Sequence, residues 1–442
     1  MFPQKVSNDP LMHLFLVKTA SFLLLAACSI AQADNPMQRE SQQPWFTELL
    51  AFNPIQRESQ EEAIEDVHTA KPQSPWDAVI TYTGDSWHNT QGGTKRGGRY
   101  VSLLSLAGDI HTEQAWGHSG GLMHSELLFG RGTFGDIVGE AQAVDNIDFG
   151  DKHNAQYLYE LWYEQTLNAQ GSSIKTGLYD VSSEFYSIDS AGLFINSALG
   201  TSQEFAQSGV SGPSVAPLTG LALRGLWAIN PDWTLKAAIV DGTPGSHNGE
   251  KNNHKPHVQL RASEGALLIA EANYSIQNQH RFGAGKWHYT RRFDEPYTST
   301  SGERAYSEGA YVFADTLLKK KENGEWRSFA SAGMASAAVN QLDSSLRGGV
   351  KYTGLLVKAD DELGFAIASA HNGHDYRHHQ HRQGTPTNHT ETAYEITYRT
   401  QVTHWLALQP DIQYIANPNA DPNLKNALAL GVRFEIAYGM PQ

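Results

Sequence analysis

One cysteine in 442 residues leaves no internal disulfide and no set of thiolates for a structural zinc or an iron–sulfur cluster. Charge is scarce too: Asp, Glu, Lys and Arg make up 18% of the chain, and 33 basic residues against 47 acidic ones give a net charge of −14. A phosphate backbone is repelled by that balance, so nucleic acid is excluded as a partner. Past the N-terminus there is no apolar run of roughly 18 residues, which excludes a chain crossing a membrane with helices. It does not exclude crossing with strands, whose alternating side chains average out as polar. What the chain does have is 40 Gly with 10 Trp, 18 Tyr and 17 Phe, a composition neither disordered nor bundle-like.

The first 33 residues read as an export leader. After Lys18 the stretch from Thr19 to Ala31 is apolar or small, and Ala31-Gln32-Ala33 satisfies the small-x-small cleavage rule before Asp34. Met12 is an alternative start that gives a leader of ordinary length. Leu25-Ala26-Ala27-Cys28 offers a competing reading, a lipoprotein box with Cys28 lipidated; cleavage after Ala33 is the expectation adopted. Residues 34–75 form a periplasmic extension in which Asn35-Pro36-Met37-Gln38-Arg39-Glu40-Ser41-Gln42 returns as Asn53-Pro54-Ile55-Gln56-Arg57-Glu58-Ser59-Gln60. Two copies are too few for a solenoid.

From Trp76 onward apolar residues recur with period two. Tyr394, Ile396 and Tyr398 alternate with Glu395, Thr397 and Arg399. Leu430, Val432, Phe434, Ile436 and Tyr438 alternate with Gly431, Arg433, Glu435 and Ala437. Similar segments occupy 76–83, 156–167, 173–180, 221–229, 233–240, 267–276, 281–290, 309–318 and 406–414, separated by turn-forming clusters such as Asp241-Gly242-Thr243-Pro244-Gly245. Strands of about 9–11 residues suit a tilted bilayer crossing. Aromatics at Tyr157, Tyr159, Tyr163, Trp287, Tyr289 and Tyr438 are placed by this reading in interfacial girdles. The fold expected is all-β: a transmembrane antiparallel up-and-down β-barrel over residues 76–442, with the short extension before it.

Several blocks carry a resemblance. Leu161-Trp162-Tyr163-Glu164-Gln165, Ser183-Glu184-Phe185 followed by Leu193-Phe194-Ile195-Asn196-Ser197-Ala198-Leu199-Gly200, Ala216-Pro217, Val240-Asp241-Gly242, Gly309-Ala310-Tyr311-Val312, Asp360-Asp361-Glu362-Leu363-Gly364 and Gln413-Tyr414-Ile415-Ala416-Asn417-Pro418-Asn419 occur in series. Together they resemble the carbohydrate-selective porin (OprB-type) family of Gram-negative outer membranes. The resemblance implies 16 strands and passive, carbohydrate-selective diffusion of monosaccharides such as glucose. The partners it implies are monosaccharides, outer-membrane lipid and the outer-membrane assembly machinery; a homo-oligomer is compatible with it.

A sugar offers apolar C–H faces and paired hydroxyls, so a selective lumen needs aromatic rings and planar charged groups. Reading parity from the apolar face gives pore-lining candidates Glu160, Trp162, Glu164, Arg224, Lys236, Glu271, Lys286, His288, Arg399, Arg433 and Glu435. Arg99 joins them from the Gly-rich basic stretch 92–99, expected to fold inward as the constriction. No cofactor or metal site is expected. His371, His374, His378, His379, His381 and His389 fall in a stretch read as an exposed polar loop, able at most to hold Zn²⁺ or Cu²⁺ loosely or to charge together near pH 6.5. The alternatives are a general non-selective diffusion pore and a barrel lipid hydrolase. A hydrolase needs Ser, His and an orienting group at one interface, and no spacing singles out such a set, so no enzyme is expected.

Overall fold

The structure is a computed structural model that describes residues 74–149, 155–245, 261, 263–297, 304–321, 324–354, 360–385 and 387–440. The leader and the duplicated repeats lie outside the described residues. Sixteen antiparallel strands follow one another in chain order and close into one barrel. They are β1 (Trp76–Gly93), β2 (Gly97–His111), β3 (Gly121–Arg131), β4 (Ala155–Thr166), β5 (Ser173–Tyr179), β6 (Gly220–Asn230), β7 (Trp233–Asp241), β8 (Ala266–Ile276), β9 (His280–Asp294), β10 (Arg304–Lys321), β11 (Gly324–Ala335), β12 (Leu342–Thr353), β13 (Glu362–Asn372), β14 (Thr390–Thr403), β15 (Leu406–Ala416) and β16 (Lys425–Gly439). The seam joins β1 to β16, with Ile80 opposite Tyr438 and Asp85 opposite Arg433. Every strand thus has two partners, and the unpaired edges that a bilayer would not tolerate are gone.

The alternation decides which side chains face lipid. On β16, Leu430, Val432, Ile436 and Tyr438 are exposed on the outer wall while Ala427, Ala429, Arg433 and Glu435 are buried within. Short turns such as Pro231–Asp232 sit at one end of the barrel, and β3, β5, β7 and β13 run into their long connections at the other, the external side in barrels of this kind.

Two of those long connections fill the lumen. Segment 132–154, described to Phe149, sends Phe134, Ile137, Val138, Val144 and Ile147 against Trp87, Leu103 and Leu128 of the wall. Segment 180–219 buries Phe185, Tyr186, Leu193, Phe194 and Phe205 against Trp287, Tyr289, Tyr311, Phe313 and Phe329. Each such side chain contributes roughly 1.5–3 kcal/mol of burial, so the barrel encloses a hydrophobic core as well as a polar path. Gly364 on β13 makes room for it: a Cβ there would lie 2.6 Å from Phe194 and 2.8 Å from Leu193.

This inner core corrects several expectations. Tyr157, Tyr159, Trp287 and Tyr289 are buried inside the barrel rather than set in a girdle. The stretch 92–99 is the tight hairpin between β1 and β2 and does not fold inward; Thr94 and Lys95 donate main-chain N–H bonds to Val138 and Ile137 and so brace segment 132–154. Within the His-rich stretch residues His374–Arg382 form a nine-residue helix with no buried residue, in which His374 and His378 stack with ring centroids 5.9 Å apart, while His371 lies on β13 and His389 just before β14.

Candidate pore constriction

Wall carboxylates hold the two inward segments by their main-chain N–H groups. Glu391 accepts from Ala141 and Gln142 at 2.7 Å each, and Glu395 from Ile195 and Asn196 at 2.6 and 2.9 Å. Glu271 accepts from the Tyr186 amide at 2.7 Å, and Asp315 from the Ser190 amide at 2.8 Å. Cations on the wall take the carbonyls: the Arg347 guanidinium donates to Leu199 and Gly200 at 2.6 Å and to Tyr186 at 2.7 Å. The segments also meet each other, through Asn146 N–H to Ile195 O at 3.0 Å and Ser197 N–H to Ala143 O at 2.9 Å. They form one seated body, and at the contacts just named buried charge is matched by hydrogen bonds, as a low-dielectric setting demands; Glu204 on segment 180–219 is the exception, buried with neither carboxylate oxygen hydrogen-bonded among the described residues.

One group of charges is built chiefly from the wall of β4–β6. Arg224 donates to Glu164 at 2.7 Å and, through Nε, pairs with Glu184 at 2.6 Å; Lys175 reaches Glu184 as well and stands 3.5 Å from Glu164. Lys175 Nζ also lies 4.2 Å from the centroid of the Trp162 ring. Burial alone would raise the Glu184 carboxyl, but Lys175 and Arg224 beside it hold it well below the usual carboxylate range. Planar charged groups beside an indole ring are a donor and acceptor set suited to paired hydroxyls on an apolar ring face.

The other predicted residues are distributed as follows. Glu160 is buried and accepts from Trp162 Nε1 at 3.0 Å and from the Asp180 amide at 2.9 Å. Lys236 stands 3.3 Å from Glu271, Arg399 3.3 Å from Glu435, and Arg433 grips Asp85 through Nε at 2.9 Å and Nη2 at 2.6 Å. Arg99 meets Asp136 at 3.4 Å on the exposed hairpin. Lys286 and His288 must be withdrawn from the lumen: they project outward, both paired to Glu308 at 3.5 and 3.1 Å, because Trp287 between them turns into the inner core. Sequence reasoning missed Lys175, Glu184 and Arg347. Lys175 shares the inward parity of Ser173 and Tyr179 and could have been found that way; Glu184 stood inside a quoted family block. Arg347 lies on a strand with no legible alternation. Between the segments runs a cavity of about 390 Å³, lined among others by Asp145, Phe149, Tyr159, Asp180, Phe194 and Gln203.

A closed 16-stranded barrel narrowed by inward segments, with charged groups beside an aromatic ring, defines a β-barrel channel. The family model described as "Carbohydrate-selective porin, OprB family" matches residues 95–438. The chain belongs to that family, and is a sugar-selective porin of the Gram-negative outer membrane. It is 23% identical over 407 residues to Porin B of Pseudomonas aeruginosa PAO1, covering 82% of this chain and 87% of that one. The high-pH structure of Pseudomonas putida OprB superposes with a TM-score of 0.73 at 20% identity, covering 85% of this chain and 96% of that one. Its low-pH structure gives 0.51 at 16% identity, over 86% and 96%.

Proposed function

We propose that this porin passes monosaccharides by passive diffusion and that Trp162, Glu164, Lys175, Glu184 and Arg224 form the sugar-contacting part of its constriction. The observation that carries the reading is the alternation of carboxylate and cation around Glu184, set against the Trp162 ring. Such a set can bind two hydroxyls at once, and its opposed charges leave no strong preference for either sign of ion. Arg399, Arg433 and Glu435 contribute to the field of the lumen and to seating the segments. Export through residues 1–33, a periplasmic extension over 34–75 and delivery by the outer-membrane assembly machinery complete the proposal. Reconstituted in liposomes, the protein should admit monosaccharides faster than amino acids of equal size, and Glu184→Gln should reduce that ratio. Equal rates for all solutes of one size would leave a general diffusion pore.

A further inference from the structure

Beside the charged cluster, and apart from it, three side chains of the wall converge on one point. His124 and Glu126 project inward from β3, and Glu160 from β4, with Glu126 and Glu160 directly opposite each other in the ladder. His124 Nε2 stands 3.8 Å from a Glu126 oxygen and 3.6 Å from a Glu160 oxygen, and all three side chains are buried. The ligand atoms of the three residues lie within 4.8 Å of one another. Four donors held at 2.0–2.2 Å in a tetrahedron are ~3.4 Å apart, so the two spacings from His124, 3.8 and 3.6 Å, are a few tenths of an ångström wider than in a closed zinc site, and the two carboxylates must draw together to close it.

The outer contacts are those of a metal site. His124 Nδ1 is 2.7 Å from Asp109 Oδ1 on β2, the carboxylate–imidazole arrangement that fixes the tautomer and turns Nε2 toward an ion. Ser105 Oγ donates to Glu126 Oε1 at 2.7 Å, which leaves Oε2 turned toward the histidine. The Asp180 amide fixes Glu160 through Oε1 at 2.9 Å. The charges agree: three carboxylates meet one imidazole, so even a protonated His124 leaves two negative charges in a buried place, whereas a divalent ion on neutral His124 leaves one. The geometry points to a divalent transition-metal site, of the Zn²⁺ class by its nitrogen and oxygen donors, made by His124, Glu126 and Glu160 with Asp109 as the positioning residue and a fourth position for water. Trp162 links it to the charged cluster, since its ring stacks on His124 at 5.0 Å and the same ring carries Lys175 Nζ at 4.2 Å. Metal binding therefore bears on the field at the constriction.

The test uses the detergent-solubilised full chain with His374→Gln and His378→Gln, which removes the surface histidine pair, dialysed against micromolar free Zn²⁺ alone. Glu126→Gln, which keeps the Ser105 bond and the shape, and His124→Gln should each hold one Zn²⁺ fewer per chain than this parent, and Asp109→Asn should weaken the same equivalent ~10–100-fold. Parent and both variants holding equal zinc, including none, would overturn the assignment and leave His124 as a cation bridging carboxylates.

Discussion

Replacing Arg433 by Gln should unseat segment 132–149 while the barrel stays closed. The guanidinium is 4% exposed and serves three partners: Asp85 on β1, at 2.6 Å, and Asp145 and Asn146 on the segment, at 3.3 and 2.7 Å. Removing it strands two buried carboxylates, which costs about 3–5 kcal/mol where no other cation is at hand. The lower figure suits a lumen that water can enter, and about 3 kcal/mol is roughly a 100-fold shift in the equilibrium between seated and released segment. The β1–β16 ladder and the outer faces of both strands are untouched, so heat-resistant migration of the folded barrel should persist. Limited proteolysis of the folded protein should cut within 132–149 much faster than in the parent, and single-channel current should become noisier. Adding Asp145→Asn to Arg433→Gln should restore part of the protection, because one stranded charge is gone. Unchanged proteolysis in the single variant would refute the idea that this ion pair seats the segment.

Phe434 neighbours Arg433 but faces lipid beside Tyr82, at 6.0 Å between rings, so Phe434→Arg should lower barrel stability in urea titration by about 2–4 kcal/mol if its depth is near the midplane; no loss would mean the facing of β16 is inverted. Burial first, with Glu391 and Asp148 adding to it, pushes the Glu140 carboxyl up to about 8 from an ordinary 4.5. Between those values the packed segment binds more protons than a released one, so packing is fully favoured below about pH 4.5 and weakens as pH rises through 8. Protection factors of residues 140–146, taken relative to the base-catalysed exchange of an unstructured peptide at the same pH, should accordingly be lower at pH 8.5 than at pH 5, and Glu140→Gln should remove that difference. Deleting residues 34–75 should leave assembly and conductance intact, checked by the same gel shift and by bilayer recording, since that stretch has no strand alternation.

Where one face meets lipid and the other meets water or charge, the strands are legible in the residues alone: β14, β15 and β16 lie where Tyr394, Ile412 and Phe434 place them. The rule fails where the inner face is apolar too. On β9 the most apolar residues, Trp287 and Tyr289, turn inward to the segment core, and a parity taken from them puts Lys286 and His288 on the wrong wall. β2, with Val101, Leu103, Leu104 and Leu106, is apolar on both faces, while β12, with Gly348-Gly349, has few large side chains to alternate. β3, β11 and β13 escaped the same test. Several charged residues of the constriction showed by type and parity; that Glu271, Glu391, Glu395 and Arg347 would be spent on main-chain groups of inward segments did not, because those contacts join positions 85 to 250 residues apart, such as Tyr186 with Glu271 and Ala141 with Glu391.

Three of the seats that hold the inward segments, Glu391, Glu395 and Arg347, grip peptide groups, whereas Arg433 grips the side chains of Asp145 and Asn146. Glu391, Glu395 and Arg347 would find the same N–H and C=O partners whatever residue stood at Ala141, Ile195 or Leu199, proline at the two donor positions apart. At these three seats docking is thereby independent of the side chain that the segment carries there. Side chains lining the cavity, such as Phe149 or Gln203, can be exchanged one by one to retune which solutes pass, with the frame that presents them left in place.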